Sequence, residues 1–178
     1  MIELTAEIVR EFMDYKPRLG ILVWKRRARH WFDEERHWKG WNKRFAGKEA
    51  LGCVNNNGYK VGVIFGKIYL THRVIWLWYT GEWPKQQIDH RNGETTNNRI
   101  SNLRDVSASI NHRNSKRYSS NKSGACGVHK RKDGYWSMSY YDNSGKYRSS
   151  SFKSKRKAIE ERKKFQRETG GFTERHGT

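Results

Sequence analysis

The chain has 178 residues, with 37 Lys and Arg against 18 Asp and Glu, a net charge of +19. That length suits one large domain or two small ones. No apolar run approaches the ~20 residues of a membrane span, and the start Met-Ile-Glu-Leu-Thr-Ala-Glu lacks the features of a signal peptide, so a soluble, cytoplasmic protein is expected.

A hydrophobic share of 34% leans towards disorder, but eight Trp, nine Tyr and seven Phe argue for small cores under a wet, basic exterior. Charge of this size speaks of partners, and nucleic acid is the expected one. A membrane surface is disfavoured, because no segment pairs a basic face with a long apolar one. Cys53 and Cys126 are too few and too far apart for a zinc ribbon or finger or a disulfide framework, and read as two free buried thiols.

Thr5 reads as the N-cap of a first helix, with Glu7 and Glu11 in its favour and Ile8, Phe12 and Tyr15 in one stripe. Pro17 and Gly20 end it, and Ile21 to Lys25 reads as a strand. The charged run from Arg26 to Phe45 fits helix and loop equally, and its Trp31, Trp38 and Trp41 read as core fillers. From Cys53 to Leu70 the alternation of Tyr59, Val61 and Val63 with Lys60, Gly62 and Ile64 predicts paired strands turning at Gly66-Lys67. Thr71 to Tyr79 predicts a helix with His72, Ile75, Trp76 and Tyr79 on one face, closed by Gly81 and Pro84.

Residues 113 to 124 are polar and aperiodic, which predicts a basic linker at 116–123 between modules at 1–115 and 124–168, with a tail at 169–178. Residues 1 to 111 hold 19 basic and 12 acidic side chains, net +7, and the remainder 18 and 6, net +12. In the second module, Gly127 to Arg131, Tyr135 to Tyr141 and Lys146 to Phe152 read as strands joined by Lys132-Asp133-Gly134 and Asp142-Asn143-Ser144-Gly145. Ser154 then caps a helix with Ala158, Ile159, Arg162 and Phe165 inside, stopped by Gly170-Gly171.

The stretch richest in chemistry is Ile88-Asp89-His90-Arg91-Asn92-Gly93, followed by Asn97-Asn98-Arg99-Ile100-Ser101-Asn102-Leu103-Arg104 and Ile110-Asn111-His112. Asp89 and His90 end a strand and point to opposite sides, and Asn92-Gly93 turns the chain. Leu103, Val106, Ser107 and Ile110 predict one buried helical face, which sets Asn111 beside it, within reach of Asp89. One charged and one neutral oxygen ligand suit Mg²⁺, which keeps several waters and takes its other ligands from phosphate. His90 is then a candidate general base. His112 is the rival ligand, rotated about 100° around the helix. Asn97 and Asn98 read as loop formers, and His72 as structural or phosphate-contacting. His30, His37, His129 and His176 have no ligand spacing.

Asp89-His90, Asn102 and Asn111 at these spacings resemble the HNH nuclease motif. Thr71-His72-Arg73-Val74, Gly81-Glu82-Trp83-Pro84 and Trp41-Asn42-Lys43-Arg44-Phe45-Ala46-Gly47 are similar to phage-type HNH homing endonucleases, so that the likeness covers about residues 1 to 115. The resemblance implies two antiparallel strands and a helix around one divalent metal, Mg²⁺ with Mn²⁺ as substitute and no zinc. It implies Asp89 and Asn111 as metal ligands, His90 as the base, Asn102 as a brace that orients His90, and Arg104 as a DNA contact. Many such enzymes have His where this chain has Asn111, which leaves the metal preference open.

Ser123-Gly124-Ala125-Cys126-Gly127-Val128, Gly134-Tyr135-Trp136 and Ser151-Phe152, ahead of a helix with Ala158, resemble the APETALA or ethylene-response type of DNA-binding domain. That likeness implies a sheet laid in the major groove with a helix behind it. Val128, Trp136, Met138, Tyr140 and Phe152 are expected towards the helix. His129, Arg131, Tyr135, Ser137, Ser139, Tyr141, Lys146 and Arg148 are expected towards DNA.

The expectation is an α+β, Mg²⁺-dependent, site-specific endonuclease of the homing type, phage-encoded and working in the bacterial host. Its partner is double-stranded DNA, which it binds as a monomer and nicks on one strand per active site. The alternative is a sequence-specific DNA-binding regulator with an inactive nuclease module. Either should lose affinity steeply as salt rises.

Overall fold

Thr5 caps the first helix as its sequence predicts, accepting from Ile8 N at 3.4 Å, and α1 runs Ala6–Phe12. The computed structural model describes residues 2–114, 119–142, 144–170, 172 and 176. Ser115 at the end of the expected first module, residues 116–118 of the expected linker, Asn143, Gly171 and most of the tail lie outside these. The chain divides into two compact units, Met1–Ser107 and Ala108–Thr178. Among the described residues no helix is long and apolar enough to cross a membrane.

In the first unit, α1 ends at Phe12, and Met13–Lys16 form a strand, β1, paired antiparallel with β2 at Ile21–Trp24. The inward stripe of α1 is therefore Ala6, Val9 and Phe12, while Tyr15 is buried from the strand and Ile8 only packs at the margin. The undecided stretch after Lys25 resolves into a short 3₁₀ turn, Arg29–Trp31, and α2, Glu35–Phe45. Asn42 on α2 is buried because its amide accepts from Arg27 N at 2.8 Å and donates to Arg27 O at 3.1 Å, as a strand neighbour would. The Arg27 guanidinium lies 4.1 Å from the ring centres of both Phe12 and Trp41, and burial lowers its pKa to about 10. Trp31 and Trp41 pack against the core, as expected of them.

The two-residue strand β3, Glu49–Ala50, adds to β2. Strands β4 (Cys53–Val54), β5 (Lys60–Ile64) and β6 (Lys67–Leu70) form an antiparallel meander. Pairing of Ile64 with Lys67 puts Phe65-Gly66, not Gly66-Lys67, at the centre of the turn. Both have positive φ, 49° and 75°, the two-residue hairpin geometry that matches strand twist. For Phe65 that conformation costs about 1 kcal/mol, offset by ring contacts with Phe12 and Trp31. Cys53, on the short edge strand, is exposed and Cys126 half-buried, so both thiols are free but neither is the buried thiol expected.

Helix α3, Thr71–Thr80, stops at Gly81 in the left-handed conformation. Its buried positions are Thr71, His72, Val74, Ile75 and Leu77, whereas Tyr79, expected on one face with His72 and Ile75, is 55% exposed. Strand β7, Gln87–His90, pairs antiparallel with β8, Leu103–Val106. The buried helical face expected from Leu103 to Ile110 is therefore wrong in its first half. Leu103 and Val106, three apart, share a helical stripe but point to opposite faces of a strand, and pairing of all four residues of β8 with β7 draws them there. A five-residue helix, α4, Ala108–His112, begins the second unit.

In the second unit, β9 (Val128–Lys130), β10 (Trp136–Tyr141) and β11 (Tyr147–Phe152) form a sheet with β10 in the centre. Helix α5, Lys155–Thr169, starts on Ser154, whose hydroxyl accepts from Lys157 N at 3.1 Å. Val128, Met138 and Ala158 form the core, with Trp136, Tyr140 and Phe152 packed on it, the inward set that alternation predicts. Gly127 is required by its place: a Cβ there would lie 2.6 Å from Ser139 O and 3.2 Å from Arg162. Arg162 on the inner stripe of α5 is buried, with NH1 donating to Ser139 O at 3.4 Å.

Candidate active site

Strand β7 carries Ile88, Asp89 and His90, all buried. The register sets Asp89 opposite Arg104 and His90 opposite Leu103. Arg104 closes on the acid: Nε donates to Asp89 Oδ2 at 2.8 Å, and NH2 lies 2.7 Å from the same oxygen. Arg104, expected on DNA, is thus the charge partner of Asp89, a pairing that directly opposed residues of opposite charge favour.

The loop after His90 is fastened by Asn102. Asn102 Oδ1 accepts from Asn92 N at 3.0 Å, its Nδ2 donates to Asn92 Oδ1 at 2.9 Å and to Asn97 O at 2.8 Å, and its carbonyl accepts from Arg91 N at 2.8 Å. Gly93 N donates to His90 O at 2.7 Å, so the turn after β7 has Arg91-Asn92 at its centre, one residue ahead of the expected Asn92-Gly93. These bonds tie Asn102, the residue expected to brace the loop, to Arg91, Asn92 and Asn97. Asn97 is a loop former, accepting from Arg99 NH1 at 3.1 Å.

Asn98 is not. It is fully buried, and its Oδ1 lies 2.8 Å from His90 Nε2. With the amide oxygen as acceptor, the imidazole proton sits on Nε2 and the lone pair on Nδ1. Sequence reasoning missed this partner. Its only signal is a second Asn in a polar loop, and the ring it touches is eight positions away.

His90 sits in an aromatic corner. His72 meets it edge-to-face at 5.1 Å between ring centres, and Tyr59 lies 5.3 Å from His72 and 6.0 Å from His90. Burial lowers the pKa of His90, although the Asn98 hydrogen bond and the Asp89 charge pull the other way. Burial, with His90 and Arg73 nearby, lowers His72 to about 3. At neutral pH both rings are neutral, and a neutral imidazole is the form that accepts a proton. His72 is 4% exposed, packed against Tyr59 and His90.

A hard divalent cation that keeps water and takes phosphate oxygens needs few protein ligands, and the Asp89 carboxylate is a donor of that kind. Among the described residues no three His, Cys, Asp or Glu side chains gather into a group that could hold a metal ion. Asn111, the second expected ligand, lies half-buried on α4 of the second unit, and His112 beside it is exposed.

In the second unit the register corrects the expected DNA face. Arg148 pairs with Tyr140, and Phe152 with Trp136, so Arg148 lies on the side of α5. There its Nε donates to Asp142 Oδ2 at 2.9 Å. The parity of the strand decides this: residues 148 and 152 share a face. Lys146 precedes β11 and is exposed. Ser137, expected on the outer face, does point there but is buried by its neighbours, its hydroxyl 2.9 Å from Ser149 Oγ. Arg131 NH1 donates to Ser151 Oγ at 2.8 Å, which places Arg131 on the same side. The outer face thus combines His129, Arg131, Ser137, Ser139 and Tyr141 with Tyr147, Ser149 and Ser151, three residues absent from the expected set. Tyr135, just before β10, is 41% exposed.

Residues 69–113 match the model of a family described as HNH endonuclease. The chain therefore carries an HNH endonuclease domain at these residues, a window that holds Asp89, His90, Asn102 and Asn111 but not residues 1–68 or 124–168. No curated protein and no solved structure matches the chain.

Proposed function

We propose that the chain is a divalent-metal-dependent, site-specific DNA endonuclease of the homing type, with His90 as its general base. The observation that carries this reading is a buried, neutral His90, fixed by Asn98 next to the carboxylate of Asp89, within a domain that matches HNH endonucleases. His90 Nδ1 takes a proton from water as the water oxygen attacks phosphorus. The P–O3′ bond breaks, leaving a 5′-phosphate and a 3′-oxygen that solvent protonates. Asn102 holds the loop that carries the ring, so that Nδ1 keeps its aim.

Asp89 and Asn111 are the proposed metal ligands, with Mg²⁺ as the physiological ion. When bound, the cation supplies neutralisation of charge developing on the phosphate and the leaving oxygen. Arg104 balances Asp89 in the protein alone. We propose that the outer sheet face of the second unit, basic, hydroxyl-bearing and aromatic, reads the DNA site, with the basic side chains of α5 free to contact flanking phosphates. One nuclease module per chain then nicks one strand.

Mapping of cut sites on randomised duplex DNA, with Mg²⁺ and with EDTA, tests this reading. Nicks at a defined sequence only with the metal are expected. Cuts without sequence preference would remove the homing assignment, and tight specific binding without cleavage would favour the regulator instead.

A further inference from the structure

Asn98 is the most completely enclosed polar side chain among the described residues, at 0% exposure. Its Nδ2 is buried without a partner, which costs the donor its hydration. A leucine would fill similar space without an orphaned donor. An amide kept at such a cost is there for its oxygen, and the oxygen contacts His90 Nε2.

The backbone around Asn98 is held from a distant part of the chain. Tyr15 on β1 donates through its hydroxyl to Asn98 O at 3.1 Å and accepts from Ile100 N at 2.8 Å. Gly20, in the β1–β2 turn with φ +69°, lies so close that a Cβ would be 2.6 Å from Arg99 N and 2.8 Å from Asn98 C. Arg99 Nε donates to Arg18 O in the same turn at 2.8 Å. Three separate contacts from one hairpin thus converge on residues 98 to 100. The hydrogen bonds among them span 81 to 85 positions of sequence, to a loop that has no regular structure until Ile100.

We infer that the β1–β2 hairpin is a positioning element of the His90 site: it holds the Asn98–Ile100 backbone so that Asn98 Oδ1 fixes the tautomer and direction of the imidazole. Its kinetic consequence rests on the nuclease reading above; its effect on the tautomer does not. The hairpin lies outside the matched residues 69–113, so the inference gives the N-terminal region a task at the site.

The test uses the full chain with ¹⁵N-labelled histidine. Imidazole ¹⁵N NMR of wild type, Asn98→Leu, Asn98→Asp and Tyr15→Phe reads the His90 tautomer, with thermal melts as a folding control. Nicking rates then separate kcat from KM. Wild type should carry the His90 proton on Nε2. Asn98→Leu should lose that preference and ~10–100-fold in kcat, as loss of a partner that orients a ligand or base commonly does, with KM unchanged. Asn98→Asp, which keeps an acceptor oxygen, should recover the tautomer and most of the rate. Tyr15→Phe keeps the ring but removes both backbone bonds, and should shift both readouts the same way by less. If Asn98→Leu fails to fold, Tyr15→Phe carries the decision. Wild-type tautomer and kcat in the folded variants, or equal losses in Asn98→Asp and Asn98→Leu, would overturn the inference. A wild type that never nicks DNA, yet shows these NMR shifts, would defeat the nuclease reading and leave the positioning intact.

Discussion

Among the described residues, the first unit buries sixteen apolar side chains in its core and the second buries three. The balance of charge is reversed: net +7 up to residue 111 and net +12 after it. The difference teaches where a demanding site can stand. Burying His72, Asp89, His90 and Asn98 takes polar groups out of water, and only a large core offsets such costs. The second unit, with little apolar area to spare, buries Arg162 but leaves most of its other described cations in solvent, where a polyanion can meet them.

Truncations of the two cores should sharpen that contrast most. Phe12→Ala removes a fully buried ring and should cost the first unit about 3–5 kcal/mol. Met138→Ala should cost the second about 2–5 kcal/mol, a larger share of what so small a core provides. Calorimetry should show two transitions, each mutation moving only its own. One shared transition moved equally by both would break the comparison.

Acid should act next, and mainly through the first unit. The folded-state pKa of His72 is about 3, against about 6.5 when unfolded. Below pH 6.5 the unfolded chain takes up a proton that the folded one refuses, so stability falls as the pH drops from there towards 3. The lowered pKa of His90 adds in the same direction. His72→Phe should flatten the dependence of the first melting transition on pH between 6.5 and 4; an unchanged slope would remove His72 as its cause. The smallest effects belong to the caps. Thr5→Ala and Ser154→Ala each lose one capping bond and should cost about 1 kcal/mol, each in its own unit.

Local chemistry was legible in the sequence. Cap residues announce α1 and α5, Gly81 announces the end of α3, and alternation announces β5, β6 and the three strands of the second unit. The Asp89-His90 pair and its bracing Asn102 could be found by spacing, because the site is built on a short hairpin. What sequence hid was pairing. Leu103 and Val106 have helical spacing, and only pairing with β7 draws them into a strand, where they face opposite sides. Met13 to Lys16 continue the apolar stripe of α1, yet pairing with Ile21 to Trp24 draws them into a strand. Asn98 and Arg104 look like loop and surface residues until Tyr15 and Asp89 are seen beside them. Arg148 was different: strand parity with Phe152 was enough to place it.

The most direct test of the central claim is the nicking of supercoiled target plasmid under single-turnover conditions, by wild type and by His90→Ala, with DNA affinity measured in parallel. Loss of a positioned general base costs typically 10²–10⁴-fold in rate, and His90→Ala should lose that much while binding DNA as tightly as wild type. Undiminished nicking by His90→Ala would contradict the account.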